Sequence, residues 1–259
     1  MSSIPLIIHQ IWWQGYENLP KEYLKYRNSW ILKHPNWKLI FWDKKKIEKF
    51  VLNINKDLYK ILNKLPYLIQ KIDFSKYIIL YYYGGVYVDM DTICQQKLDN
   101  LLVKYKYGLI LSKIDIYDNY KLINNGIIIS EKYHDFFLYL YYEIAKNLKK
   151  KIYENKDIYI LNSTGPIVFS KAVLNYLLNS KKRNIRILDS SYLESCKMSE
   201  IGDCKRLGKY ITHIHKGSWQ SKLFKFHFYS IKFYKKYNKY IIVIILKILL
   251  IAFIFLNKK

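Results

Sequence analysis

Apolar positions along the first half of the chain switch repeatedly between a two-residue and a 3.6-residue period. Residues 6–12 (LIIHQIW) form a short, β-rich apolar run that predicts a buried strand. Asn18-Leu19-Pro20 then opens a helix over 21–32, with Pro20 at the start, where its missing N–H costs nothing. Residues 37–42 (WKLIFW) alternate well enough for a second strand, and Asp43 can cap a helix over 44–51. After a lysine-rich connection, apolar positions recur at helical spacing from 66 to 83. Gly84-Gly85 ends that helix, and 86–90 reads as a strand stopping at Asp91. Further strands are predicted at 107–111, 126–130, 185–188 and 210–213, and helices at 134–148 and 166–178. Strands alternating with helices imply an α/β fold, a single domain over 1–222 around a mainly parallel central sheet.

Residues 240–256 (YIIVIILKILLIAFIFL) break the pattern, being apolar except for Lys247. That length sits at the short end of a membrane span. One central Lys costs about 2.5–3.5 kcal/mol on insertion scales, which the surrounding Ile and Leu offset. The expectation is a C-terminal apolar helix acting as a single-pass membrane anchor, preceded by a basic juxtamembrane segment over 223–239. Lys235, Lys236 and Lys239 upstream outweigh Lys258 and Lys259 downstream, which favours a cytosolic globular part.

With 51% hydrophobic and 17% aromatic residues among 259, the chain can bury a sizeable core, which excludes disorder and fibrous repeats. Lys+Arg 44 against Asp+Glu 20 gives a net charge of +24. That suggests an anionic partner: nucleic acid, an acidic membrane surface or a phosphorylated substrate. Lys, Ile, Asn and Tyr are enriched throughout, so a coding preference accounts for the charge as readily as function does. The lysines are dispersed without a nucleic-acid-binding motif, and no nucleic acid partner is expected. Three cysteines exclude a disulfide framework, and Cys196 and Cys204 are read as reduced thiols in preference to a pair. No Cys/His cluster has zinc spacing.

Candidate chemistry concentrates in residues 73–91, DFSKYIILYYYGGVYVDMD. On a strand Asp89 and Asp91 point the same way, with Met90 turned into the core. Two adjacent carboxylates at a strand end repel each other unless a cation lies between them, and a hard divalent ion, Mg²⁺ or Mn²⁺, suits them. Asp73 and Lys76, three apart on the preceding helix, share a face and can set an anion and a cation beside that ion.

This stretch resembles the D-x-D sugar-binding region of family 32 glycosyltransferases, which include fungal initiating α-1,6-mannosyltransferases, mannosyl-inositol-phosphoryl-ceramide synthases and bacterial capsule transferases. The likeness extends over most of residues 4–222. IPLIIHQIW (4–12), SWILKHPNWKLIFWD (29–43), NNGIIIS (124–130), STGP (163–166), RILD (186–189) and HIHKGSW (213–219) follow in family order. The resemblance implies a GT-A-type fold and transfer of a hexose, of the mannose or glucose type. The donor would be a GDP- or UDP-linked sugar, the acceptor a glycan or glycolipid hydroxyl, and anomeric configuration would be retained. It implies that Asp89 and Asp91 bind metal and pyrophosphate, that Asp73 contacts the nucleotide-sugar and that Trp12 stacks on the base. Lys76 stands where the family pattern usually has Arg, keeping the charge but losing the bidentate fork. His213 matches a late histidine completing the metal or diphosphate site, with His215 as competitor. Trp219 would contact the diphosphate, and Asn125 and Thr164 border the donor sugar and acceptor. The alternatives are a basic nucleic-acid-binding protein and a non-catalytic scaffold; the intact set Asp73, Asp89 and Asp91 argues against the scaffold.

Overall fold

The computed structural model describes residues 4–117, 120–148, 155–181, 184–197, 206–222 and 225. The chain divides into two compact units, Met1–Ser218 and Trp219–Lys259. The proposed anchor over 240–256 and the basic segment before it lie outside the described residues. Among the described residues no helix is long and apolar enough to cross a membrane.

The first unit is built on a seven-stranded sheet ordered β2 (Lys38–Trp42), β1 (Ile7–Ile11), β3 (Gly85–Val88), β7 (Ile127–Ser130), β5 (Leu109–Tyr117), β6 (Tyr120–Ile123), with β8 (Ile185–Leu188) also pairing with β5. The pairs β1–β2, β1–β3 and β5–β8 are parallel. The expectation of a mainly parallel α/β sheet holds in direction, since all strands but β7 and β6 run one way. Those two pair antiparallel with their neighbours and make the sheet mixed.

Strand residues alternate between two cores, as the pleat requires. Ile11, Tyr87, Ile128, Leu109 and Leu111 pack against α2 (Lys44–Ile54), α3 (Lys56–Lys64), α4 (Leu68–Tyr83), α6 (Phe136–Leu148) and α8 (Pro166–Asn179). Ile8, Val86, Val88, Ile127, Ile129 and Ile110 pack on the other face against Trp30 of α1 (Lys21–Lys33), Leu101 and Leu102 of α5 (Asp99–Lys104) and Leu193 of α9 (Ser190–Leu193). Burial on both faces explains the unbroken apolar strands. A separate two-stranded ribbon joins β4 (Thr92–Cys94) to β9 (Ile211–His213).

The lysine-rich connection after α2 is a helix, α3. Asn55 caps it by accepting from the N–H groups of Asp57 and Leu58 at 2.9 and 3.0 Å. Leu58, Ile61 and Leu62 supply an apolar stripe that the surrounding lysines conceal in the sequence. Short elements that the sequence pattern left unassigned, β4, α5, β6, α7 (Lys156–Ser163) and α9, fill the remaining loops. Cys196 is disulfide-bonded, where the sequence favoured a reduced thiol; Cys204 lies outside the described residues.

The turn that delivers the acidic pair depends on Gly84 and Gly85, both at positive φ (62° and 94°). A Cβ on Gly85 would stand 2.5 Å from the Ile7 carbonyl oxygen, so glycine there is a packing requirement as well as a conformational one. Beside it, His9 is buried with both ring nitrogens engaged. Trp42 Nε1 donates to Nδ1 at 3.1 Å, so Nε2 carries the proton and donates to the Gly84 carbonyl at 2.9 Å. Burial pushes its pKa down to about 4 from 6.5, the Gly84 bond opposing and Lys38 assisting. The folded state therefore favours neutral His9. That stabilisation is complete above pH 6.5 and is lost as pH falls through the window from 6.5 to about 4. We expect the unfolding free energy of wild type to drop by about 3 kcal/mol more than that of His9→Gln over this interval. Urea titrations at pH 7 and pH 4.5 check this, and parallel pH profiles would refute it.

Candidate active site

The helix α4 is the platform of the site. Gln70 Oε1 accepts the Tyr67 N–H at 3.2 Å at its start, and the helix is buried all round from Asp73 to Leu80. Lys76 Nζ lies 2.6 Å from Asp73 Oδ1, with both side chains buried. Two further groups converge on the same carboxylate. Asn125 Nδ2 donates to Oδ1 at 3.2 Å, and Thr164 Oγ1 donates to Oδ2 at 3.1 Å. Tyr77 closes the network, its hydroxyl donating to the Thr164 carbonyl at 2.7 Å and accepting from Asn125 at 2.8 Å. Burial pushes the Asp73 pKa up, against the lowering effect of Lys76. Four residues proposed from three separate stretches thus form one buried polar cluster.

The strand β3 stops at Val88, earlier than expected. Residues 89–92 form a turn closed by the Thr92 N–H on the Asp89 carbonyl at 3.2 Å and by Thr92 Oγ1 on the same oxygen at 2.6 Å. Asp89 and Asp91 therefore share a side through a turn, which corrects the strand-alternation argument while keeping its outcome; Met90 is buried as expected. The register Thr92↔His213 in the β4–β9 ribbon then brings the late histidine beside them. His213 Nε2 lies 3.2 Å from Asp91 Oδ1 and 3.9 Å from Asp89 Oδ2. Tyr87 donates its hydroxyl to Asp89 Oδ1 at 2.8 Å, and the Lys216 N–H donates to Asp91 Oδ2 at 2.8 Å. Asp89 and Asp91 keep 32% and 14% of their side chains exposed against 6% for His213, so the cluster opens to solvent on its acidic side.

His215 leaves the strand at φ 55° and turns its Nε2 to Glu194, at 3.1 Å. Of the two competing histidines, His213 is the one beside the aspartates. Glu194, at the end of α9, also meets His213 Nδ1 at 3.2 Å. Sequence reasoning missed this carboxylate. Its local sequence, SYLES, carries no pattern that sets it apart. Gly126 was missed as well: a Cβ there would stand 2.5 Å from Asp89 Oδ2 and 2.8 Å from His213 Cε1. The backbone of the NNG segment thus forms a wall of the site that only glycine allows.

Trp12 stands near one side of this cluster. Its ring packs on Tyr23 (centroids 5.1 Å apart) and against the small core containing Met90, and its Nε1 donates to the Asn18 carbonyl at 3.1 Å. Trp219 is half-buried and belongs to the second compact unit.

The two carboxylates of the pair are shifted in opposite directions. Burial pushes Asp89 up, with Lys76 and His213 only partly offsetting it. For Asp91 the attraction of His213 and the Lys216 N–H outweigh burial, and its carboxyl is held well below the usual range. Burial would lower His213, yet Glu194 and Asp91 push it well above the ordinary histidine value. Oxygen and nitrogen ligands sharing one ion at about 2.1 Å lie roughly 3.0–4.2 Å from one another. The ligand atoms of Asp89, Asp91 and His213 all lie within 4.8 Å of one another, and both histidine separations, 3.2 and 3.9 Å, fall in that window. The donor set fits a hard divalent cation.

Residues 20–108, which carry the platform helix, the glycine turn and the acidic pair, match the model for the glycosyltransferase sugar-binding region containing the DXD motif. An uncharacterised glycosyltransferase of Acanthamoeba polyphaga mimivirus is 33% identical over 93% of this chain and 92% of its own length. The chain belongs to this DXD glycosyltransferase family. Inositol phosphoceramide mannosyltransferase 1 of Schizosaccharomyces pombe is also 33% identical, over 69% of this chain and 54% of its own length. The chain thus spans about half the length of that fungal relative. Among solved structures, the PaToxG glycosyltransferase superposes with a TM-score of 0.52 over 69% of this chain and 72% of that one, at 18% identity. At that identity the likeness speaks for the α/β fold alone. As a member of this family the protein is an enzyme, a glycosyltransferase.

Proposed function

We propose that this glycosyltransferase moves a hexose, of the mannose type, from a GDP- or UDP-linked donor to a hydroxyl of a glycolipid or glycan, with Mn²⁺ or Mg²⁺ held by Asp89, Asp91 and His213. The convergence of those three residues at the open side of an otherwise buried cluster carries the reading. The name of the fungal relative supports mannose and a ceramide-linked acceptor. When bound, a divalent ion supplies Lewis-acid stabilisation of the negative charge that gathers on the departing diphosphate.

The protein's own groups do the rest. Lys76 lies behind Asp89, opposing the effect of burial and favouring its ionised form. Asp73, held by Lys76, Asn125 and Thr164, is a rigid polar floor against which a sugar hydroxyl can be oriented. Trp12 offers a flat apolar ring for the nucleotide base. Retention is what the family resemblance implies, and a same-face attack needs no covalent nucleophile. Asp73 is tied to Lys76, Asp91 to His213 and Lys216, and Glu194 to both histidines, while Asp89 is assigned to the ion, which supports a route without a covalent nucleophile. The acceptor hydroxyl would then attack on the face the diphosphate leaves and pass its proton to that diphosphate.

A panel of UDP- and GDP-sugars with Mn²⁺ tests the proposal. One donor should turn over, EDTA should lower the rate at least about 100-fold, and re-added Mn²⁺ should restore it. A product anomer opposite to the donor's would overturn the retention step. Turnover indifferent to EDTA would overturn the metal.

A further inference from the structure

We infer that Glu194 is a positioning residue for His213: its buried carboxylate accepts the Nδ1 proton and so keeps Nε2 aimed between Asp89 and Asp91, where it gives its lone pair once an ion displaces the Nε2 proton. The inference rests on the metal-assisted reading above. Glu194 is fully buried, and its main chain is tied down from both sides. Its N–H bonds the Ser190 carbonyl at 2.8 Å, and its own carbonyl accepts the His213 N–H at 3.3 Å. The same residue therefore grips His213 by backbone and by side chain, with Nδ1 at 3.2 Å from Oε2 and 3.4 Å from Oε1. An ionised carboxylate only accepts hydrogen bonds, so the proton in that contact belongs to Nδ1. Turning the ring over about χ2 would set a carbon against the carboxylate and a carbon against the aspartates, and Glu194 resists this.

Two neighbours restrict the ring further. His215 lies against it with centroids 3.8 Å apart, and its Nε2 stands 3.1 Å from Oε2 of the same carboxylate. Gly126 packs so close to His213 Cε1 that no side chain could intervene. Glu194, His213 and His215 are themselves near enough to hold an ion. That ion would take His213 Nδ1 while Nε2 faces the aspartates, and a neutral imidazole has only one lone pair to give. The carboxylate is better used as the outer partner of a ligand histidine, an arrangement that fixes ring orientation and raises ligand basicity.

The test is Mn²⁺ binding to the full chain, read by electron paramagnetic resonance without donor or acceptor, together with the nitrogen hyperfine coupling of a ligated imidazole. Glu194→Ala and the isosteric Glu194→Gln should weaken Mn²⁺ binding about 10–100-fold and reduce the nitrogen coupling. Asp91→Ala should abolish binding. Glu194→Gln decides the matter if the alanine variant lacks a cooperative melt. Wild-type affinity and coupling in Glu194→Gln, with binding lost in Asp91→Ala, would overturn the inference and leave the metal reading standing. Wild-type binding in Asp91→Ala as well would remove both.

Discussion

Asp91→Ala is expected to lower sugar transfer about a thousandfold or more, equivalent to about 4 kcal/mol of lost transition-state stabilisation. Three contacts converge on this residue. Oδ1 faces His213 Nε2 at 3.2 Å, Oδ2 accepts the Lys216 N–H at 2.8 Å, and its carbonyl accepts the Ile214 N–H at 3.0 Å. Alanine removes the charge and also frees the loop after β9. Asp91→Asn separates these effects, since its amide oxygen can still accept from Lys216 while the anionic charge is gone. We expect the asparagine variant to melt near the wild-type temperature and to be nearly as inactive as alanine. Donor hydrolysis and transfer assays with Mn²⁺ measure the loss. Activity within tenfold of wild type in Asp91→Asn would show that the charge at this turn is dispensable.

Lys76→Met is expected to destabilise the protein by about 3–5 kcal/mol, the usual cost of stranding one charge of a buried pair. Lys76 and Asp73 have side chains only 2% and 5% exposed, and no solvent is at hand to take over the compensation. Asp73 would keep Asn125 and Thr164 as donors but lose the cation that lies 2.6 Å from Oδ1. Asp73→Asn combined with Lys76→Met should recover much of the loss, because removing both charges leaves neither uncompensated. Urea unfolding of the two single variants and the double variant gives the coupling directly. A Lys76→Met penalty below about 1 kcal/mol would mean that Asp73 is neutral or hydrated in the folded protein. Lys76 Nζ also sits 5.2 Å from the Tyr87 ring centroid and 5.6 Å from that of Tyr77, within cation–π reach of both.

Much of the layout was legible because the strands are buried on both faces and the helices other than the central stretch of α4 on one, so their periods differ along the chain. α3 was not, because Lys56, Lys60 and Lys64 dominate its composition while Leu58, Ile61 and Leu62 carry its packing. The acidic turn was half legible. Spacing two apart put Asp89 and Asp91 on one side, but the backbone reaches that result by turning back at Thr92 instead of extending. The antiparallel insertion of β7 between β3 and β5 was hidden for another reason: strand order leaves no mark on the strands themselves.

By itself the sequence determined the local devices: a helix carrying Asp73 and Lys76 one turn apart, a double glycine to reverse the chain, and two aspartates straight after a buried strand. These rest on neighbours within a few residues, where backbone sterics and helical spacing act directly. Only the tertiary structure decided which histidine stands beside the aspartates, because that follows from pairing Thr92 with His213 across the β4–β9 ribbon. It also decided that Asn125 and Thr164 share one carboxylate, that Glu194 holds the His213 ring, and that Gly126 must be bare. Each is a contact between distant segments, set by sheet register and by which buried polar groups must find partners.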